Sequence, residues 1–144
     1  MKLYVASSWR NPHQPSVVNA LRSAGHECYD FRNPPNRAGF QWRDVGIEGT
    51  AIDGPGMRAA LSHPDAKAGF EADFLGMRWA DGCVLVLPCG RSAHLEAGFM
   101  AGAGKPVFVL WPPTPEGPDL MYRMTQGVFD SVEEIILAIA GGWT

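Results

Sequence analysis

Apolar and polar positions alternate between two rhythms along this chain. Leu3 to Ala6 is a short apolar run stopped by Ser7-Ser8 and Asn11-Pro12, which predicts a strand running into a polar loop. Val17, Val18, Ala20, Leu21 and Ala24 recur at helical spacing from a start near Ser16, and Gly25 is the predicted stop. His26 to Phe31 supplies the next strand, so the chain opens as a strand–helix–strand unit with a right-handed crossover.

Periodicity is then lost. Between 32 and 54, Pro34, Pro35, Gly39, Gly46, Gly49 and Gly54 interrupt every pattern while Phe40 and Trp42 add aromatic bulk, predicting a long functional loop with one helical turn. A helix is predicted from Pro64 to Trp79, with Phe70, Phe74 and Met77 on one stripe and Asp73 beside it. Gly82 to Leu87 is a continuous apolar run, as expected of a central strand covered on both faces. Cys89-Gly90 turns into a helix from about Ser92 to Ala103, which Gly104-Lys105-Pro106 ends. Val107 to Trp111 is another buried strand, Pro112 to Pro118 a proline-rich loop, Leu120 to Met124 a short helix and Val128-Phe129 the last strand. Asp130 or Ser131 caps a closing helix through Ala140, with Glu133 and Glu134 in its first turn. The pattern predicts a single α/β domain over residues 1–144 with a largely parallel sheet, and a working site at the carboxyl ends of the first and third major strands.

Composition narrows the function classes. Twelve Lys and Arg against fifteen Asp and Glu leave a net charge of −3, too little positive field to hold duplex nucleic acid. Three cysteines, with Cys83 inside an apolar run, argue against a disulfide framework and for a reducing compartment. No apolar stretch approaches the roughly 18 residues that span a bilayer, and the first residues read as a strand rather than a leader. The expectation is a cytoplasmic protein with no membrane partner.

The chemistry concentrates in Gly90-Arg91-Ser92-Ala93-His94-Leu95-Glu96-Ala97-Gly98, which follows a central strand and opens a helix. Backbone N–H groups at such a start attract anions, and Arg91 and Ser92 add a charge and a hydroxyl; Ser92 reads equally as a plain helix cap and Arg91 as a solvated charge. Glu96 stands alone among Ala, Gly, Leu, Phe and Met, four residues after Ser92 rather than the three of a capping box. Asp73 and Asp81 are two further acids near this strand, Asp81 reading also as a turn residue. Tyr4 reads as a core aromatic or a site residue, and Trp9 and Arg10 as surface or site. His13, His26, His63 and His94 show no ligand spacing, so neither metal nor cofactor is expected.

Taken together, these segments resemble the nucleoside 2-deoxyribosyltransferase superfamily, which includes nucleoside 5′-monophosphate N-glycosidases, over nearly the whole chain. Leu3-Tyr4-Val5-Ala6-Ser7-Ser8-Trp9 is similar to that family's first strand, Phe70 to Gly82 to its acid-bearing helix, and Leu95-Glu96-Ala97-Gly98 with Gly104-Lys105-Pro106 to its nucleophile helix. Asp119-Leu120-Met121 resembles the segment that reaches into a neighbouring subunit's site. The resemblance implies a flavodoxin-like, doubly wound fold with a five-stranded, mainly parallel sheet of order 2-1-3-4-5. It also implies a homodimer or higher homo-oligomer with shared sites, acting on a small-molecule nucleoside or nucleotide without a cofactor. Glu96 would be the nucleophile, Tyr4 would orient it, and Asp73 would contact the sugar or help proton transfer to the base. Phe40 and Trp42 are our candidates for base-stacking walls.

One departure shapes the functional expectation. Six residues before the nucleophile the deoxyribosyltransferases carry an acid that handles the base, whereas this chain has Gly90. Gly90, Arg91 and Ser92, with Ser8 and Arg10 from the first loop, look instead like a 5′-phosphate pocket, and Ser7 and Trp9 of the first segment are further substrate-binding candidates. The expectation is therefore an N-glycosidase acting on a nucleoside 5′-monophosphate, the alternatives being base exchange between nucleosides and a non-catalytic nucleotide-binding sensor.

Overall fold

The computed structural model describes residues 1–49 and 51–142; Thr50, inside the loop predicted over 32–54, lies outside them. The strands are β1 (Lys2–Ala6), β2 (Glu27–Asp30), β3 (Gly82–Val86), β4 (Val107–Leu110) and β5 (Gly127–Phe129). The α-helices are α1 (Gln14–Ser23), α2 (Gly54–Ser62), α3 (Pro64–Trp79), α4 (Arg91–Gly102) and α5 (Val132–Gly141), with short 3₁₀ helices at Trp42–Val45 and Leu120–Met124. Among the described residues the strands form one parallel sheet in the order β2-β1-β3-β4-β5, flanked by the five α-helices. This is the flavodoxin-like, doubly wound arrangement expected from the sequence.

Alternation along the strands sorts the core into two layers. Leu3, Val5, Val84, Val86, Phe108 and Leu110 face one side, where Val17, Val18 and Leu21 of α1 and Ile135 of α5 cover them. Tyr4, Tyr29, Cys83, Leu85, Val107 and Val109 face the other side, where Met77 of α3 and Ala93, Ala97 and Met100 of α4 pack. β3 is buried at every position because it is covered on both faces, which is why its sequence shows no alternation. Among the described residues no helix is long and apolar enough to cross a membrane.

Several local expectations are corrected. α1 starts at Gln14, with Pro15 in its first turn, rather than near Ser16. The helical turn of the long loop is the 3₁₀ segment Trp42–Val45, but that loop ends in a helix the sequence hid: Asp53 caps α2 by accepting a hydrogen bond from Gly56 N at 2.7 Å. α4 starts at Arg91 with Gly90 as its N-cap residue, so Ser92 is inside the first turn and makes no cap hydrogen bond. The predicted stripe of α3 is core only at its Met77 end, because Phe70 is 65% exposed.

Candidate active site

Register places Tyr4 of β1 beside Tyr29 of β2, both facing the α3/α4 layer. Their rings stack with centroids 5.2 Å apart and planes within 7°. α3 can lie close over this pair because it has glycine where it crosses Tyr29: a Cβ on Gly76 would come within 2.7 Å of the ring. One turn earlier on α3, Asp73 accepts a hydrogen bond of 2.9 Å from the Tyr29 hydroxyl. A second glycine, Gly69, lets Phe40 rest on the helix, where a Cβ would meet it at 2.8 Å. The face of α3 that reads Gly69, Asp73, Gly76 thus seats an aromatic on each side of one carboxylate.

Glu96, from the second turn of α4, completes the cluster. It is partly buried and close enough to Tyr4 and Asp73 for each to influence its ionisation. Burial pushes its carboxyl up to about 7; the Tyr4 hydroxyl opposes that shift and the charge of Asp73 adds to it. Asp73 is pushed up to about 6, again by burial, with the Tyr29 hydroxyl and the Arg37 guanidinium opposing. Burial first, and then the charges of Glu96 and Asp73, hold the Tyr4 phenol protonated. Its oxygen is fully buried and makes no well-formed hydrogen bond among the described residues, so it is an O–H donor held in reserve beside Glu96. Two carboxyl groups that change charge near neutrality, backed by a phenol, are an arrangement suited to nucleophilic and proton-transfer chemistry. Aromatic rings flank it, Phe74 lying 5.4 Å from Phe70 and 5.3 Å from Phe99 between α3 and α4.

The loop after β1 is tied down from three directions. Ser7 Oγ donates to the Val86 carbonyl at 2.9 Å, and Asn11 Nδ2 donates to the carbonyls of Val86 and Pro88. Arg32 Nη2 donates to the carbonyls of Ser8, Trp9 and Asn11 at 2.8, 2.9 and 2.8 Å. Trp9 Nε1 donates to the Phe40 carbonyl at 3.0 Å, and Phe40 meets Trp42 edge-on at 5.0 Å. Phe40 is therefore brought onto α3 one turn from Asp73, while Trp42 and Arg10 are exposed. Ser7 uses its hydroxyl to join β1 to β3, and Ser8 Oγ accepts from Arg10 N at 3.2 Å.

Other expected site residues fall elsewhere. The Asp81 carboxylate accepts from Lys2 N at 3.0 Å, at the amino ends of β1 and β3 and so at the opposite end of the strands from the β1–α1 loop. Arg91, Asp119 and Met121 line a cleft of about 460 Å3 between α4 and the 120–124 turn, together with Leu95, Gly98 and Met124. Glu96, Tyr4 and Asp73 do not line that cleft: at 100° per residue, positions 91, 94, 95, 98 and 101 share one side of α4, and Ser92, Glu96 and Phe99 share another. His94, on the cleft side, ties the start of α4 to the 120–124 turn, Nδ1 donating to the Gly90 carbonyl at 2.8 Å and Nε2 lying 3.0 Å from the Tyr122 hydroxyl. Gly90 faces open space, since a Cβ there would meet nothing within 4 Å.

Sequence reasoning missed Tyr29, Arg32 and Arg37. Tyr29 lies inside a predicted strand and only register pairs it with Tyr4; Arg32 and Arg37 lie in the loop whose pattern was broken. Among the described residues no group of three or more His, Cys, Asp and Glu side chains is placed to hold a metal ion.

No family model and no curated protein matches the sequence. Solved structures do match its fold. A 2-deoxyribosyltransferase from Bacillus psychrosaccharolyticus is 22% identical with a TM-score of 0.60, over 94% of this chain and 90% of that one. A conserved protein from Enterococcus faecalis V583 is 15% identical with a TM-score of 0.58, over 98% of both chains. The CMP N-glycosidase BcmB from Clostridium botulinum is 11% identical with a TM-score of 0.54, over 97% of this chain and 99% of that one.

Proposed function

We propose that this chain is an N-glycosidase that cleaves the base–sugar bond of a nucleoside 5′-monophosphate, with Glu96 as nucleophile. The observation that carries the reading is the pairing of Glu96 with Asp73 in one partly buried cluster, each poised to change charge near neutral pH. The fold shared with a CMP N-glycosidase supports it. In the first step a Glu96 oxygen bonds to the anomeric carbon as the C–N bond breaks, its electron pair leaving with the base. Glu96 holds its proton more tightly than Asp73, so the reacting form is the minority in which Glu96 is ionised and Asp73 carries the pair's proton, and from there Asp73 supplies the proton the base takes up. A glycosyl ester remains on Glu96, and the carboxylate beneath the ring stabilises the oxocarbenium character of the transition state. Water then attacks the anomeric carbon, gives its proton to Asp73, and the ester bond breaks to restore the Glu96 carboxylate. Tyr4 donates to whichever Glu96 oxygen is not bonding, which lowers the cost of keeping that carboxylate ionised while buried.

The 5′-phosphate is assigned to the open start of α4 at Gly90, with Ser92 on the Glu96 side of that helix and Ser8 and Arg10 from the first loop. Arg91 is the outlying member of that set because it lines the neighbouring cleft. Phe40, seated on Gly69, is the proposed base wall, with Trp42 behind it. Base exchange between nucleosides is the second reading, favoured by the fold shared with a 2-deoxyribosyltransferase. The test is a panel of ribo- and deoxyribonucleotides and their nucleosides, with base release followed by chromatography. Wild type should turn over monophosphates, and Glu96→Ala should lose roughly a thousandfold or more. Equal turnover by the variant removes Glu96 as nucleophile, exchange among nucleosides favours transfer, and thermal stabilisation by a nucleotide without product favours a sensor.

The same reading proposes a homodimer or higher homo-oligomer in which Asp119 and Met121 serve a neighbouring site. Leu95, Leu120 and Met121, at 76%, 79% and 56% exposure, leave apolar surface beside the α4 cleft for a second copy to cover. Light scattering after size exclusion should give at least twice the monomer mass; a monomer at assay concentration counts against shared sites. Cys28, Cys83 and Cys89 are free thiols, in keeping with a proposed cytoplasmic setting.

A further inference from the structure

Among the described residues the hydroxyl of Tyr29 has a single hydrogen-bond partner, and that partner is a carboxylate of the cluster around Glu96. Tyr29 is held on three sides: its backbone is in β2, one face of its ring stacks on Tyr4, and the Gly76 segment of α3 presses against it. It therefore has almost no freedom to follow Asp73; Asp73 must follow Tyr29. Asp73 Oδ1 accepts the phenol at 2.9 Å, and Oδ2 accepts no hydrogen bond among the described residues. We propose that Tyr29 is a positioning residue: its hydroxyl anchors one oxygen of Asp73, fixing that side chain's rotamer and leaving the other oxygen for substrate.

A second consequence concerns charge. Donation by a phenol favours the carboxylate over the carboxylic acid, so Tyr29 lowers the pH at which Asp73 exchanges its proton. The groups facing Asp73 are Tyr29 from β2, Tyr4 from β1, Glu96 from α4 and Arg37 from the loop after β2. Burial pushes Asp73 upward, Tyr29 and Arg37 pull it downward, and the balance leaves it at about 6. The role of Asp73 as proton carrier rests on the glycosidase reading; its anchoring by Tyr29 does not.

Tyr29→Phe separates the two, because it keeps the ring between Tyr4 and Gly76 and deletes only the hydroxyl. Carbon-13 NMR titration of the Asp73 carboxyl in the full chain should show its midpoint rising by about one unit in the variant, the shift expected for losing a hydrogen bond to a charged group. An unchanged midpoint overturns the proposal. In the nucleotide assay at pH 5, where Asp73 is mostly protonated with or without the hydroxyl, Tyr29→Phe should lower turnover about tenfold with little change in KM, and should cost nothing further in an Asp73→Asn background. A further loss in that background means Tyr29 acts otherwise than through Asp73, and also overturns it. A wild type inactive on every nucleotide defeats the glycosidase reading alone, since the NMR titration is read without any substrate.

Discussion

The two faces of the sheet are built from different materials, although the same strands supply both. The layer under α1 and α5 is made of Leu, Val, Ile and Phe, with Ile135 fully buried in the same cluster as Leu3, Val5 and Phe108. The layer under α3 and α4 contains Tyr4, Tyr29, Cys83 and Met77, and above it stand Asp73 and Glu96. Helix α3 presents Gly69 to Phe40 and Gly76 to Tyr29, and α4 packs on the sheet through Ala93, Ala97 and Met100. Close approach with small side chains leaves room for polar groups that an aliphatic core would exclude, at the cost of desolvating them. The first layer holds the sheet together, and the second holds two acids at unusual ionisation.

If that division is right, damage to the aliphatic layer should be felt as lost stability and little else. Ile135→Ala removes a fully buried side chain from α5, on the face away from Glu96, and should cost about 2–5 kcal/mol of unfolding free energy. Denaturant unfolding measures the cost, while specific activity of the folded fraction should stay within about twofold of wild type. A variant that keeps its stability but loses activity would show that the two layers are coupled and the contrast is misdrawn.

The division was only half visible in the sequence, for reasons that differ by residue. Val84 to Val86 and Val107 to Leu110 are apolar without a break, and a run of that length between turns has few places to go except a buried parallel strand. Glu96 stood out because charge inside an alanine and glycine helix is unusual, and Tyr4 and Asp73 came with the family resemblance. Helix α2 was hidden because Gly54-Pro55-Gly56 reads as a loop, when Asp53 and Pro55 are in fact the cap and first turn of a helix. Asp81 is near the cluster in sequence but not in space: a residue just before a parallel strand lies at its amino end, away from the β1–α1 loop. For Arg91 the sequence could not show the side, since 100° per residue turns it away from Ser92 and Glu96 toward the neighbouring cleft. Tyr29 was illegible for a deeper reason, because strand register is a property of the pairing of two segments and of neither one alone.

The polar layer yields the subtlest effect, and one that runs against intuition about charged residues. The Glu96 carboxyl is pushed from its ordinary value near 4.5 to about 7, so between those pH values the folded protein binds more protons than the unfolded chain. Its contribution to stability is therefore complete below about pH 4.5 and is lost as the pH rises through about 7. Glu96→Gln keeps the shape and removes the titration. Relative to wild type the variant should gain about 2 kcal/mol between pH 4 and pH 8, after allowing for partial exposure of the carboxyl, while losing turnover throughout. Melting temperatures at the two pH values measure this directly. A difference between variant and wild type that is the same at both would mean that Glu96 ionises as it does in water, and that the layer beneath α3 and α4 imposes no cost on its charge.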